Sequence, residues 1–474
     1  MATTQSFIGG EFVDSLDSYE NIDPSTGTVL GTVARGGATE VDRAVQAARA
    51  ANREWRRTTP EQRATLMCRL GDLIAASKET LAITESEDTG KPLTQARTDV
   101  DVCARYFRFY GHAIDSYYGI SIPLRSDLHV YTRREPYGVT GHIVAWNYPM
   151  QLLARGVAPA IATGNCSIVK PADETPRTAV MIAELAIRAG FPPGVFNVVT
   201  GVGAEAGAAL SAHPGVDHIG FVGSTEVGSV IARAAADRVA PAMLELGGKS
   251  AQIVFADANI EKAATFITKA ILQNAGQTCS AGSRLLVHRD VHDEVISRVS
   301  ALFAQVTIGR GIDDRDLGPL VSLKQQGRVR TYVDGLSRGQ IICGGTIVEP
   351  DGISTGAYFA PTLIDGVDPD EAIAQEEVFG PVLTAISFSS EEEATALANG
   401  TDYALLGAIW TGDLSRAHRL AAEIEAGQVY INTYGAGGGV ELPFGGFKKS
   451  GYGREKGYEA LDSFTETKTV IVQL

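Results

Sequence analysis

Apolar residues near the start of the chain fall at helical spacing, and from about residue 139 they gather into short runs instead. After a short polar strand-and-turn segment, VDRAVQAARAANREW carries apolar positions three and four apart. Thr39 and Asp42 stand ahead of it like a capping box. Thr59-Pro60-Glu61 marks a second start, a cap followed by proline at the first helical position. That helix is expected to run to Thr89-Gly90, where glycine stops it, and a third from about Leu93 to Tyr118. Residues 120–135 (ISIPLRSDLHVYTRRE) lose the helical period and predict an extended excursion from the main body.

Over 139–256 the short apolar runs VTGHIVAW, CSIVK, FNVVTG, HIGFVG and AMLELGG alternate with helical patterns, one of them from Thr175-Pro176 to Gly190. Such alternation predicts a parallel sheet with helices on both faces. A second block follows, from AQIVF (251–255) through a helix at 259–275, RLLVH and another helix, to VYINT (429–433). The glycine-rich tract GAGGGVELPFGGFKKSGYG (435–453) is too apolar for a flexible linker, and no internal repeat is visible. The final TKTVIVQL reads as a strand that needs a partner sheet, which another subunit can supply.

Composition narrows the class. The chain has 474 residues, enough for two to four domains at roughly 100–200 residues each. Hydrophobic residues at 44% and charged residues at 20% exclude a disordered, collagen-like or low-complexity chain. The net charge of −15 disfavours nucleic acid and anionic membrane as partners. There is no apolar run of the length a membrane helix needs, and Met1 to Gly10 lacks a secretory pattern. The cysteines Cys68, Cys103, Cys166, Cys279 and Cys343 are scattered and form no CxxC pair. Neither a disulfide framework nor a metal site is suggested, and a reducing, cytoplasmic location is expected.

Six places carry candidate chemistry, each with a plainer alternative. Cys279, in GQTCSAGSR, follows a small polar loop that can expose and activate a thiol; the alternative is a packed thiol. Glu245, in LELGGKS, is expected near the end of a buried strand, where a raised pKa suits a general base; a paired carboxylate would look the same. Asn147, in Trp146-Asn147-Tyr148-Pro149, follows an apolar strand and can donate an amide to an oxyanion, although Asn and Pro are also turn residues. Gly223 and Ser224, with Gly228, open a helix after HIGFV, a place that favours a phosphate without being a G-x-G-x-x-G fingerprint. Lys170 and Asp173 can bracket a ribose or form a solvated loop. Glu377 can hold a sugar hydroxyl and Phe379 can pack on a ring; a charged turn is the alternative.

Taken together and in this order, WNYP, KPADETP, FVGSTEVG, LELGGKS, GQTCSAGSR, EEVFGP and LPFGGFKKSGYGRE resemble the aldehyde dehydrogenase superfamily across essentially the whole chain. The 34 residues from Glu245 to Cys279 match that family as well. The resemblance implies an α/β fold with a Rossmann-type cofactor domain (1–113 and 137–247), an α/β catalytic domain (248–457) and a small β oligomerisation flap (114–136 and 458–474), forming a homodimer or homotetramer. It implies a non-acylating, NAD(P)-dependent enzyme acting on a small aldehyde. Cys279 would be the nucleophile, Glu245 the water-activating base and Asn147 an oxyanion donor. On the cofactor it would place Trp146, Lys170, Asp173, Gly223, Ser224, Gly228, Glu377 and Phe379, and on the substrate side Arg155 and Tyr148.

Two departures bear on selectivity. NAD-preferring relatives usually carry Glu where Asp173 stands; the shorter carboxylate still favours NAD while making NADP possible. Arg155, eight residues after Asn147, resembles the arginine of semialdehyde, lactaldehyde and benzaldehyde dehydrogenases, where many fatty-aldehyde relatives have Trp. A second arginine of the succinic semialdehyde enzymes is Gln273 here, so that clamp is incomplete, and a structural ion pair for Arg155 remains the alternative. CoA-acylating relatives generally lack the base that Glu245 supplies. A non-enzymatic protein on this fold would normally have lost Cys279 or Glu245.

Overall fold

Two mostly parallel sheets follow from the two alternating blocks. The computed structural model describes residues 3–435 and 439–474, so positions 436–438 of the glycine-rich tract lie outside the described residues. The first sheet runs, strand beside strand, Gly451–Tyr452, Ala242–Glu245, His218–Val222, Val139–Ile143, Cys166–Lys170, Phe196–Val198, Ser6–Ile8, Glu11–Val13. Its five central strands are parallel. VTGHI and CSIVK are buried along their whole length, as strands with both faces covered must be.

From Val139–Ile143 the chain steps outward through Cys166–Lys170 and Phe196–Val198, then returns to the opposite flank at His218–Val222. The strand order therefore reverses between Val139–Ile143 and His218–Val222. Loops leaving the carboxyl ends of two such strands diverge and open a crevice, the usual ligand position in open α/β sheets.

The second sheet is ordered Gln340–Cys343, Thr362–Asp365, Val382–Phe388, Arg284–His288, Ala251–Val254, Leu406–Trp410, Gln428–Ile431, with only the first of these antiparallel to its neighbour. Each sheet has its own hydrophobic core. The short segment 246–250 carries the chain from one sheet to the other.

Helix boundaries shift in several places, and the helix expected over 259–275 is Ile260–Leu272. The first helix is Ala38–Trp55 and its cap is Gly37, not Thr39; Glu40 lies three residues beyond that cap, so its carboxylate accepts the Gly37 N–H at 2.7 Å. Thr59 caps the next helix as expected, exchanging hydrogen bonds with Gln62. The stretch expected to reach Thr89 divides at Ser77 into Pro60–Ala76 and Lys78–Thr89, because Ser77 leaves helical geometry (φ −95°, ψ 16°). The following helix, Leu93–Ala113, ends in a tight turn at Ile114–Ser116, short of Tyr118. Among the described residues no helix is long and apolar enough to cross a membrane.

The excursion and the chain end meet. Thr465–Gln473 pairs antiparallel along its length with Leu128–Pro136, and Ser121–Ile122 adds a third strand. The terminal strand thus finds its first partner within its own chain. Its other edge has no strand beside it among the described residues.

Candidate active site

A cavity of about 940 Å³ opens where the two sheets approach. The first sheet feeds it from the carboxyl ends of its strands: Trp146 and Asn147 after Val139–Ile143, Gly223 and Ser224 after His218–Val222, and Glu245 at the end of its own strand. The second sheet feeds it from loops leading into strands: Cys279 ahead of Arg284–His288 and Glu377 ahead of Val382–Phe388.

Cys279 sits on a strained loop. The helix Ile260–Leu272 is followed by three left-handed residues, Asn274 (φ 48°), Ala275 (φ 54°) and Gly276 (φ 72°). For Ala275 this conformation costs roughly 1–2 kcal/mol, while Asn tolerates it better. Hydrogen bonds offset the strain. The Asn274 side chain donates to the carbonyl of Asn147 at 2.9 Å, and Gln277 donates back to the Asn274 carbonyl at 3.0 Å. Gln277 Oε1 also accepts the Val321 N–H at 2.8 Å. A Cβ at Gly276 would strike the carbonyl of Gly380, so glycine is required there. The Cys279 thiol is pushed up to about 12 by burial and by Glu245, Glu377 and Glu455, against the pull of Arg155.

Asn147 is fixed from both ends. Its side-chain amide donates to the Gln277 carbonyl at 3.0 Å, which uses one of its two N–H groups and leaves the other. Its own carbonyl accepts from Lys91 Nζ at 3.0 Å. Lys91 is buried, paired with Asp99 and standing 3.4 Å from Glu85, and its ammonium lies 4.4 Å from the centre of the Tyr148 ring. Asp99 in turn accepts from Gln151 at 2.6 Å.

Glu245 is 2% exposed at the end of its strand, and neither carboxylate oxygen has a hydrogen-bond partner. Burial and the neighbouring Glu455 charge raise its pKa to about 8, opposed by Arg155, Arg454 and Lys456. Arg155, on the helix Pro149–Ala162, is ion-paired with Glu455, stands 3.7 Å from Glu245 and lies over the Phe444 ring at 4.6 Å. The ion pair set against substrate contact for Arg155 is therefore present in the structure.

On the opposite side, Glu377 accepts the Gly248 N–H at 2.8 Å; burial lifts its pKa to about 7, against that bond, Lys249 and Arg328. A Cβ at Gly248 would run into the Cys279 carbonyl, so this glycine permits the close approach of the segments that carry Glu245 and Cys279. Trp146 and Phe379 meet edge to face at 5.2 Å, and Phe379 holds φ 60°. Ser224 caps the helix Thr225–Ala236 by accepting the Val227 N–H at 3.3 Å. The first N–H groups of such a helix have no partner within it, and Gly223 and Ser224 at its start line the cavity.

Lys170, Asp173 and Gly228 do not line the cavity. Lys170 and Asp173 pair at the carboxyl edge of the first sheet, where Asp173 also accepts the Gly203 N–H at 3.1 Å. Gly228 instead makes room for Leu246, 2.5 Å from where a Cβ would stand. Tyr148 and Arg155 do line the cavity.

Lys91, Asn274, Gln277, Glu455 and Lys456 were not singled out from the sequence. Glu455 ends the quoted motif LPFGGFKKSGYGRE, Lys456 is the next residue, and Lys91 follows the helix-stopping Gly90; each position was visible, and only its contacts were not.

The family model described as "Aldehyde dehydrogenase family" matches residues 12–470. DhaS of Bacillus subtilis (strain 168) is 39% identical over 480 residues, covering 100% of this chain and 96% of DhaS. An indole-3-acetaldehyde dehydrogenase of P. syringae, AldA, solved as a cysteine-to-alanine mutant in complex with NAD+ and IAA, superposes with a TM-score of 0.97 at 38% identity over 99% of this chain and 96% of that one. PnpE from Pseudomonas sp. WBC-3, in complex with nicotinamide adenine dinucleotide, gives a TM-score of 0.97 at 40% identity, over 99% of this chain and 97% of PnpE.

Proposed function

The chain belongs to the aldehyde dehydrogenase family, and from that premise we propose that it oxidises an aldehyde to the free carboxylic acid, with NAD preferred over NADP. The observation that carries this reading is the convergence of Cys279, Asn147 and Glu245 on one cavity that continues to Gly223, Ser224, Glu377 and Phe379.

The residues present fit a dinucleotide. The crevice at the strand-order reversal offers a helix N-terminus at Ser224 for a pyrophosphate. Glu377 and the Trp146–Phe379 pair frame the end nearest Cys279. Lys170 and Asp173 would meet the adenosine ribose, where the Asp173 carboxylate repels a 2′-phosphate. When bound, the dinucleotide supplies the hydride acceptor.

Cys279 Sγ, after losing its proton, adds to the aldehyde carbon and forms a thiohemiacetal. The oxygen that becomes negative is held by the remaining Asn147 amide N–H and the Cys279 backbone N–H. After oxidation the acyl group remains on Cys279 as a thioester. Glu245 takes a proton from water as that water attacks the thioester, releasing the acid and restoring the thiol. A carboxyl with a pKa near the working pH suits this step, and it is the residue that argues against transfer to CoA.

The cavity wall contributed by Arg155, Tyr148, Tyr106 and Phe444 favours a semialdehyde or an aromatic aldehyde over a long alkanal. We also assign residues 1–113 and 137–247 to cofactor binding and 248–457 to catalysis. Residues 114–136 and 458–474 are assigned to assembly into a homodimer or homotetramer through the open edge of Thr465–Gln473, near which Ile471, Val472 and Leu474 are exposed.

Mixing the protein with NAD and a panel of aldehydes, with and without CoA, tests the reading. NADH should form without CoA and the free acid should accumulate. Turnover only with CoA, or a thioester product, would refute it.

A further inference from the structure

The two groups assigned to the oxyanion come from different sheets. Asn147 follows Val139–Ile143 of the first, and Cys279 precedes Arg284–His288 of the second. Neither sheet alone fixes the distance between them, so it depends on side chains that cross from one to the other. Asn274 is such a side chain. It is 2% exposed, and its amide nitrogen donates to the Asn147 carbonyl at 2.9 Å and to the Gln277 carbonyl at 3.3 Å. That same Gln277 carbonyl receives the Asn147 side-chain amide at 3.0 Å. One NH2 group thus closes a ring through both ends of Asn147 and the loop two residues ahead of Cys279. The backbone of Asn274 is held as well: its N–H donates to Gln95 Oε1 at 3.0 Å, and its carbonyl accepts the Gln277 side chain at 3.0 Å.

We propose that Asn274 is a positioning residue for the oxyanion, setting the distance between the Asn147 side-chain amide and the Cys279 backbone N–H. It does not line the cavity, so it acts through those two groups and not on the substrate. Oxyanion donors work over a narrow range of about 2.7–3.1 Å, and a pair drawn from two sheets needs a link to stay within it. Lys91 also donates to the Asn147 carbonyl, but it is paired with Asp99 on the helix Leu93–Ala113, and it does not reach the loop that carries Cys279. The left-handed backbone at Asn274 (φ 48°, ψ 40°) belongs to the same device, since it turns the side chain back toward Asn147. The inference rests on reading Asn147 and Cys279 as the oxyanion donors.

Asn274→Gly and Asn274→Asp separate this role from a purely conformational one. Glycine adopts the left-handed backbone freely but has no amide; aspartate keeps the size and shape but turns the donor into an oxygen facing two carbonyls. Both variants should lose about 10- to 100-fold in kcat, the scale of a small misplacement of catalytic groups, with KM for NAD within about threefold of wild type. A residue that acts through Asn147 should also lose its effect once that side chain is gone. Either substitution added to Asn147→Ala should therefore cost less than about threefold more, whereas independent sites would multiply their losses. Wild-type kcat in Asn274→Gly, or multiplied losses in the double variants, would overturn the proposal while leaving aldehyde oxidation by wild type intact. Loss of dinucleotide binding in both single variants would make Asn274 a residue of the fold and overturn it as well. Full activity of Asn147→Ala by itself would instead sink the assignment of the oxyanion donors beneath it.

Discussion

The two sides of the cavity are stabilised in different ways. On the side of Asn147, Gln277 and Glu377, the groups are held by hydrogen bonds of 2.8 to 3.0 Å to backbone atoms. On the side of Glu245, Arg155, Glu455 and Lys456, buried charges face one another, and both oxygens of Glu245 lack a hydrogen bond. The first arrangement fixes positions. The second sets protonation, because a buried carboxylate without hydrogen bonds responds to each nearby charge. Orientation and proton affinity are thus controlled by separate parts of one site.

The largest effect should come from the atom both sides serve. Cys279→Ala should lower aldehyde oxidation by about ten-thousand-fold or more while dinucleotide binding, followed by fluorescence, persists. Cys166→Ala, in a buried strand, should not reproduce that loss. If it did, the nucleophile would be misassigned.

Glu245→Gln breaks the charge-tuned side. Deacylation should slow by about 10²- to 10⁴-fold, giving a burst of NADH followed by a low steady rate in stopped flow. Wild-type steady turnover would contradict the base role.

Asn147→Ala breaks the hydrogen-bonded side, with an expected loss of about 10²- to 10³-fold in kcat. Lys91→Met acts at one remove and should cost about tenfold, mainly in kcat, since it holds the Asn147 carbonyl rather than the substrate. A change confined to KM would place Lys91 elsewhere in the mechanism.

The pH profile separates the two sides more finely. In the proposed role Glu245 can take a proton only when it is itself unprotonated, so the deacylation rate should rise with pH through about 8 and level above it. Glu455→Gln removes a negative neighbour that raises this pKa. The rising limb should then move to lower pH, by about one pH unit. A limb that stays in place would mean Glu455 does not influence the base.

The smallest effect is expected at Asp173, outside the cavity. Asp173→Ser should narrow the preference for NAD over NADP by a few-fold, because one negative charge in a solvent-accessible position is partly screened. Wild-type preference for NADP would reverse the reading of the adenosine end.

Much of this architecture was legible in the chain. Short runs such as VTGHI and CSIVK, alternating with helical patterns, fit strands covered by helices on both faces, so the alternating blocks announced the fold. Glu245, flanked by two leucines and followed by two glycines, was readable as a buried strand end. Helix limits were less legible. The division at Ser77 and the cap at Gly37 depend on which of several acceptable local geometries the packing admits.

By itself, then, the sequence determined the order of elements, the motif residues and the family, because periodicity and motif spacing are local properties of the chain. Only the tertiary structure decided what those residues meet. Arg155 finds Glu455, Asn147 rests on Lys91 and Gln277, and Lys456 comes to line the same cavity as Cys279. The physical reason is that proton affinity and charge pairing depend on distance and burial across the fold, and both are set by strand order rather than by neighbours along the chain.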